Sequence, residues 1–308
     1  MNKVSLITPC YNLENFIEKT AKSILAQSHT NWEWIIIDDG SQDRTLDIIS
    51  GFNDPRIIVV KNEHIGLLSV IRNIGIKVSQ ANFIAFIDGD DLCEPTRLEE
   101  QLQVFKKDSS IGLVHTQATI FNEEKEMKII PHIQNEPSHY FEYLIQGKGI
   151  IISSVMMKKE VIEENGLFEE RKELIGTEDF EYWVRISKNT KFKFLAKPLI
   201  KYRWNRPGSL TIDKRLVMAK GAWFTIQKNI DFAKNNLQKK IVDDSQSLFL
   251  GKVGIAKHLD HDQGAKNDIF EAINFNPMRM NNYFYFILSL LPSKAASKIL
   301  RTINGMGY

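Results

Sequence analysis

The chain has 308 residues, a net charge of +2, 43% hydrophobic and 25% charged residues, and two cysteines. That balance belongs to a globular protein that buries a real core, at a length that suggests one large domain and a smaller one. It excludes a strongly basic nucleic-acid binder, and Cys10 and Cys93 are too few for a disulfide framework, which points to a reducing compartment.

The N-terminal MNKVSLITPCYN has no long apolar run and no small-residue cleavage site, so no signal peptide is expected. Val4–Ile7 reads as a buried strand, followed by a helical pattern over Glu14–Gln27 with Phe16/Ile17, Thr20/Ala21 and Ile24/Leu25 on one face. Strand Trp34–Ile37 runs into Asp38-Asp39-Gly40, then come a short helix at Thr45–Ser50, strand Ile57–Val60, helix Leu67–Val78 and strand Phe83–Ile87, which runs into Asp88-Gly89-Asp90-Asp91. Pro95 suits the first turn of a helix reaching Phe105. This alternation predicts an α/β protein with a mostly parallel sheet and helices on both faces, whose ligands bind beyond the carboxyl ends of the strands. Further on, Ser153–Met157, Phe192–Leu195 and Leu199–Tyr202 read as strands and Glu178–Ser187 as a helix. Residues 213–308 show no convincing strand and read as four or five helices, so a boundary is placed near 210, with domains 1–210 and 211–308. Small residues at Gly251, Ala256, Ala265 and Ala272 suggest one closely packed helix pair.

Five constellations carry chemistry. Three carboxylates within four residues at Asp88–Asp91 repel one another unless a hard cation sits among their oxygens, and Mg²⁺ or Mn²⁺ also accepts diphosphate oxygens. The bland alternative is a solvated acidic turn. Asp38-Asp39-Gly40-Ser41-Gln42-Asp43 again follows a strand; helix capping explains Asp43 but not the paired Asp38 and Asp39. Tyr11, in Pro9-Cys10-Tyr11-Asn12, is either a base-stacking ring or a packed aromatic. Arg72-Asn73-Ile74-Gly75 lies within a helix, and Thr177-Glu178-Asp179 opens one, where acids also suit the macrodipole.

In this order, TPCYN, IIIDDGSQDRT, RNIGI, FIAFIDGDD with P-x-R-L after it, and TEDFEYWVRI resemble family 2 glycosyltransferases with the GT-A fold, over about residues 3–205. The resemblance implies a Rossmann-like GT-A domain with an all-helical C-terminal subdomain. It implies that Pro9 and Tyr11 line a base pocket, that Asp39 accepts the N3–H of uracil or thymine, and that Arg72 approaches the base or phosphates. Asp88 then holds the ribose or a metal-bound water, Asp90 ligates the metal, Asp179 is the catalytic base, and Glu178 orients it or contacts the acceptor. Two departures stand out. The run Gly66–Arg72 is bulkier than in many relatives, and Gly89 stands where serine is common; a glycine there allows close backbone approach to the donor.

The implied activity is inverting, metal-dependent sugar transfer from a nucleotide-diphosphate donor, UDP before dTDP, to a hydroxyl of a cell-surface polysaccharide or glycolipid, in the cytoplasm. A sugar-phosphate nucleotidyltransferase would want a glycine-rich basic loop, which Thr8–Asn15 lacks. A non-catalytic nucleotide-sugar binder would not need Asp90 and Asp179. Tyr283–Leu291 is the longest apolar stretch, too short to span a bilayer, and Lys294, Lys298 and Arg301 follow it. That pattern predicts either peripheral contact with a membrane through the C-terminal helices or a core-packed terminal helix.

Overall fold

The computed structural model describes residues 2–122, 125–131, 136–204, 214–232 and 236–304. The chain forms two compact units. One comprises Met1–Tyr140, Ile150–Glu170 and Arg185–Ser209; the other comprises Phe141–Gly149, Arg171–Val184 and Leu210–Tyr308. The boundary expected near 210 lies outside the described residues.

The elements follow in chain order as β1 (Val4–Cys10), α1 (Ile17–Leu25), β2 (Trp32–Asp38), α2 (Thr45–Ser50), β3 (Ile57–Lys61), α3 (Leu68–Val78), β4 (Phe83–Phe86), β5 (Leu92–Cys93) and α4 (Arg97–Lys107). Then come β6 (Ile111–Phe121), β7 (Glu126–Ile130), α5 (Tyr140–Ile145), β8 (Met156–Lys158), α6 (Lys159–Asn165), α7 (Glu178–Ile186) and β9 (Lys191–Arg203). Among the described residues, nine strands form one sheet in the first unit, in the order β3-β2-β1-β4-β8-β6-β9-β5, with β7 beside β6.

The four strands β3, β2, β1 and β4 are parallel, and both faces of β1 and β2 are buried. That is why those strands read as unbroken apolar runs rather than alternating ones. Successive side chains point to opposite faces. Trp34 and Ile36 join Ile17, Ala21 and Ile24 of α1 in one core, while Ile35 and Ile37 pack with Ile71 of α3 in another. Helix α3 approaches β1 so closely that a Cβ on Gly75 would lie 2.5 Å from Cγ2 of Ile7.

Beyond β4 the sheet is mixed. β8 is antiparallel to β4 and β6, β9 is parallel to β6, and β5 is antiparallel to β9. β6 was not expected from sequence, because IGLVHTQATIF, buried on nearly every residue, shows no period of two. The two short strands expected at 192–202 are one strand, β9, whose register against β6 slips near Pro198. From β1 the chain winds outward to β2 and β3, then crosses back to place β4 on the other side of β1. β1 is thus flanked by strands reached in opposite directions, the kind of switch point at whose strand ends α/β sheets bind ligands.

One buried side chain ties the parallel half to the mixed half. Arg97, of the P-x-R-L run, is fully buried at the start of α4. Its guanidinium donates to the carbonyls of Phe86 (3.0 Å) and Val155 (3.1 Å), to Oε1 of Gln101 (3.1 Å) and to Sγ of Cys93 (3.2 Å). Both cysteines are buried free thiols.

The second unit carries the helices α8 (Arg215–Gln227), α9 (Asn236–Leu259), α10 (Ala265–Phe275), α11 (Met280–Leu288) and α12 (Ser293–Asn304). Ile255, Ile269, Tyr285, Leu288, Ala296 and Leu300 form its core. The small residues do bring helices together: a Cβ on Gly254 would lie 2.6 Å from Ile269, and one on Gly251 would lie 2.1 Å from Oδ1 of Asn282. Among the described residues no helix is long and apolar enough to cross a membrane.

Arg97→Met keeps the length of the side chain and removes its donors, leaving buried carbonyls at the β4/β8 junction short of a partner. The variant is expected to lose about 1.5–3 kcal/mol of unfolding free energy, the range for hydrogen bonds from a charged donor. Urea denaturation followed by circular dichroism checks this, and an unchanged midpoint would mean that Arg97 is not a tie.

Candidate active site

At the end of β1 the chain turns through Asn12 with φ +51°, a left-handed conformation that asparagine tolerates. The loop after β1 is stitched to the loop after β2. The amide of Asn12 donates to Oγ of Ser41 (3.0 Å), Gln42 N–H donates to Oδ1 of Asn12 (2.8 Å), and Leu13 N–H donates to Oγ1 of Thr45 (2.7 Å). Asp43 accepts the amides of Glu14 (3.0 Å) and Thr45 (2.9 Å), together with the Thr45 hydroxyl. Burial pushes its pKa up, but those bonds outweigh burial and hold it below the ordinary carboxylate value. Asp43 is thus a tie between two loops as much as a cap for α2.

Asp38 and Asp39 are both buried at the end of β2. One oxygen of Asp38 accepts Ser41 N–H at 3.2 Å, and the other is buried without a protein partner. Asp39 faces the segment after β3. Its Oδ1 accepts Ile65 N–H (2.7 Å) and its Oδ2 accepts Gly66 N–H (2.9 Å). Nδ1 of His64 lies 3.0 Å from Oδ2 of Asp39 and 3.0 Å from its carbonyl oxygen. The His64 ring stacks on Tyr11, centroids 4.1 Å apart and planes 23° from parallel. Tyr11 remains 41% exposed, whereas Pro9 is buried within β1 opposite Ile37. Gly40 turns with φ +78°, and a Cβ there would lie 3.0 Å from the amide nitrogen of His64. The turn and the close approach together require glycine. His64 carried no signal in the sequence, being a lone histidine in a loop.

The acidic run after β4 is sorted by direction. Asp88 is partly exposed, its amide donates to Oγ of Ser153 (3.0 Å), and Oδ1 lies 3.0 Å from Nη2 of the buried Arg72. Asp90 is half-buried. Asp91 turns inward, fully buried, and accepts the Arg203 amide at 2.8 Å. Burial first, then the charges of Asp90 and Asp88, raise the Asp91 pKa well above the ordinary carboxylate value. Arg203 also donates through Nε to the Asp90 carbonyl (2.9 Å), with its guanidinium over the rings of Phe121 and Phe16. The missing side chain of Gly89 makes room for the protein itself: a Cβ would lie 2.5 Å from Cδ1 of Leu13. Asn73, beside Arg72, donates to the carbonyl of Phe168 and accepts its amide, fixing the segment before α7.

No group of three or more His, Cys, Asp or Glu side chains converges to hold a metal among the described residues. The donor set is instead one or two carboxylates, Asp90 and Asp88, with the third withdrawn. That set fits a Mg²⁺- or Mn²⁺-type ion, which binds through one or two carboxylates, waters and phosphate oxygens rather than an all-protein cage.

In the second unit, Glu178 and Asp179 open α7. The preceding turn passes through Gly176 with φ +75°, and α8 packs on it so tightly that a Cβ on Gly221 would lie 2.3 Å from Oγ1 of Thr177. Glu178 is buried and Asp179 half-buried, with Oδ1 accepting Phe180 N–H at 2.7 Å. Glu181 is buried and lies 3.5 Å from Nζ of Lys228. The sequence-expected residues thus fall into two sets, with Tyr11, Asp39, Arg72, Asp88 and Asp90 in the first unit and Glu178 and Asp179 in the second.

The profile of the family described as Glycosyl transferase family 2 matches residues 5–166. An Escherichia coli UDP-Glc:alpha-D-GlcNAc-diphosphoundecaprenol beta-1,3-glucosyltransferase, WfgD, is 26% identical over 264 residues, covering 85% of this chain and 98% of that one. S. aureus TarS in complex with UDP-GlcNAc superposes with a TM-score of 0.65 at 16% identity, covering 97% of this chain and 92% of that one. The longer TarS chain is covered to 50%. The mannosyltransferase PcManGT from Pyrobaculum calidifontis, in complex with GDP-Man and Mn²⁺, superposes with a TM-score of 0.62 at 14% identity, covering 97% of this chain and 86% of that one. The architecture is the GT-A fold of these neighbours.

Asp39 holds the 64–66 segment by two amide bonds to one carboxylate. Asp39→Ala is expected to speed hydrogen exchange at Ile65 and Gly66 by at least about tenfold, since bonds to a charged acceptor contribute about 1.5–3 kcal/mol. Exchange at Ile37, inside β2, should stay slow. Equal protection of Ile65 and Gly66 in the variant would show that the carboxylate does not hold that segment.

Proposed function

We propose, from the premise that the chain belongs to glycosyl transferase family 2 and is a glycosyltransferase, that it moves a sugar from a UDP-sugar to a hydroxyl of a lipid-linked glycan with inversion at the anomeric carbon. The rival readings, a sugar-phosphate nucleotidyltransferase and a non-catalytic nucleotide-sugar binder, give way to it. The observation that carries the donor half is the pair of partly exposed carboxylates, Asp88 and Asp90, just past the end of β4 and next to β1, with Arg72 bonded to Asp88.

The donor assignments run from base to phosphate. Tyr11 offers the base a ring edge and an exposed face, and Asp39 accepts the pyrimidine N3–H. A carboxylate has about four lone-pair sites, so Asp39 can hold the Ile65 and Gly66 amides and the His64 ring nitrogen and still accept one more donor. The UDP assignment draws support from the donor in the name of the Escherichia coli relative and from the UDP-GlcNAc complex of TarS. That relative's diphosphoundecaprenol acceptor supports a lipid-linked acceptor here. Asp90, with Asp88, would hold a Mn²⁺ or Mg²⁺ ion, which when bound neutralises the departing diphosphate. Arg72 holds Asp88 in place.

Asp179 takes the proton of the acceptor hydroxyl. That oxygen bonds to the anomeric carbon on the face opposite the diphosphate, whose bond to the same carbon breaks, and the single displacement inverts the centre. Glu178, buried next to it, orients the base. The half-buried Asp179 is the more reachable of the two.

Calorimetry tests the donor half. UDP should bind in Mn²⁺ and weakly or not at all in EDTA. In Mn²⁺ it should outcompete CDP at least about tenfold, because cytosine leaves the Asp39 acceptor unpaired. Equal affinity in Mn²⁺ and EDTA would remove the metal from the mechanism.

Asp179→Asn keeps the shape and removes the proton acceptor. It should lower the transfer rate by about two orders of magnitude or more, the contribution of general-base catalysis, with UDP affinity unchanged. Near wild-type transfer in this variant would move the base elsewhere, with Glu178 the next residue to replace.

A further inference from the structure

Helix α11 is apolar on both sides. Asn282, Tyr285 and Leu288 face the core of the second unit. At about 100° per residue, Met280, Tyr283 and Ile287 form a stripe on the opposite side. That stripe faces outward: Met280 is 73% exposed, Ile287 58% and Tyr283 38%. It continues past the helix end into Leu290 and Leu291, and Met278 before the helix is 85% exposed. A surface helix normally carries polar residues outward, and a contiguous apolar patch marks an interaction face.

The segment that carries this stripe is basic. From Ala272 to Tyr308 the sequence has no Asp or Glu, while Arg279, Lys294, Lys298 and Arg301 are basic. Arg279 pairs with Asp244. Lys294 and Lys298 are exposed, one turn apart on α12, which begins directly after Leu291-Pro292. The side chain of Arg301 lies outside the described residues. An apolar ridge that runs into the exposed lysines of α12 complements an anionic lipid surface, where apolar side chains enter the headgroup boundary and lysines meet phosphates. A second copy of the chain is the poorer occupant. A two-fold contact would set the same patch against itself and bring Lys294 and Lys298 of the two copies together.

We propose that Met278, Met280, Tyr283, Ile287 and Leu290, flanked by Lys294 and Lys298, dock the second unit onto an anionic membrane surface. The inference adds a partner to the proposed transferase and is read without sugar transfer, so it stands or falls separately from the donor and acceptor assignments.

The test is flotation of the full chain with phosphatidylcholine vesicles that contain phosphatidylglycerol, and with phosphatidylcholine alone. Binding is expected to the anionic vesicles, weakening with salt. The double variant Met280→Glu/Ile287→Glu, which changes only exposed positions, should abolish it. Lys294→Glu/Lys298→Glu should weaken it by about tenfold or more, the effect of losing two lysines at an anionic surface. Both variants should keep the wild-type melting temperature and UDP affinity. The lysine variant decides the matter if the first fails to fold. Absence of wild-type binding, or undiminished binding by the lysine variant, overturns the proposal. So does a wild-type dimer that Met280→Glu/Ile287→Glu converts to monomer, since the face would then belong to a second copy.

Discussion

Carboxylates crowded at the carboxyl ends of buried strands must be held apart or answered by positive charge, and the first unit is arranged around that constraint. Asp88, Asp90 and Asp91 lie within four residues. The protein withdraws one and leaves two. Asp91 is pulled inward onto the Arg203 amide, where burial and its neighbours favour the neutral acid. Asp88 is bonded to Arg72, a buried guanidinium delivered by α3. The two that remain, Asp88 and Asp90, are partly exposed.

The same economy governs the loops. Backbone amides that would otherwise go unbonded at the strand ends are met by Ser41, Asp43, Thr45 and Asn12 after β1 and β2, and by Asp39 after β3. These bonds give irregular backbone a fixed geometry beyond the buried strands β1 and β2. Below them, Arg97 joins the end of β4 to β8, so the acidic turn sits on a braced junction.

The second unit solves a different problem. It presents acids at the start of α7 and then, past Glu271, has none. The half-buried Asp179 opens α7 just after a turn wedged against α8. The outward apolar side of α11 contributes nothing to the core formed by Tyr285 and Leu288.

How much of this was legible in the chain itself differs by element. The strand–helix alternation of residues 4–107 determined the fold class, because periodicity expresses it directly, while the family and the enzyme class were legible through the resemblance carried by five motifs in order. Only the tertiary structure decided which acid points where, since Asp88, Asp90 and Asp91 differ not in chemistry but in what Arg72, Ser153 and Arg203 bring from elsewhere. It also decided that Gly89 makes room for Leu13, that His64 covers Tyr11, and that β6 joins β8 and β9. Each of these is a contact between residues far apart in the chain, and a strand buried on both faces leaves no period for the sequence to display.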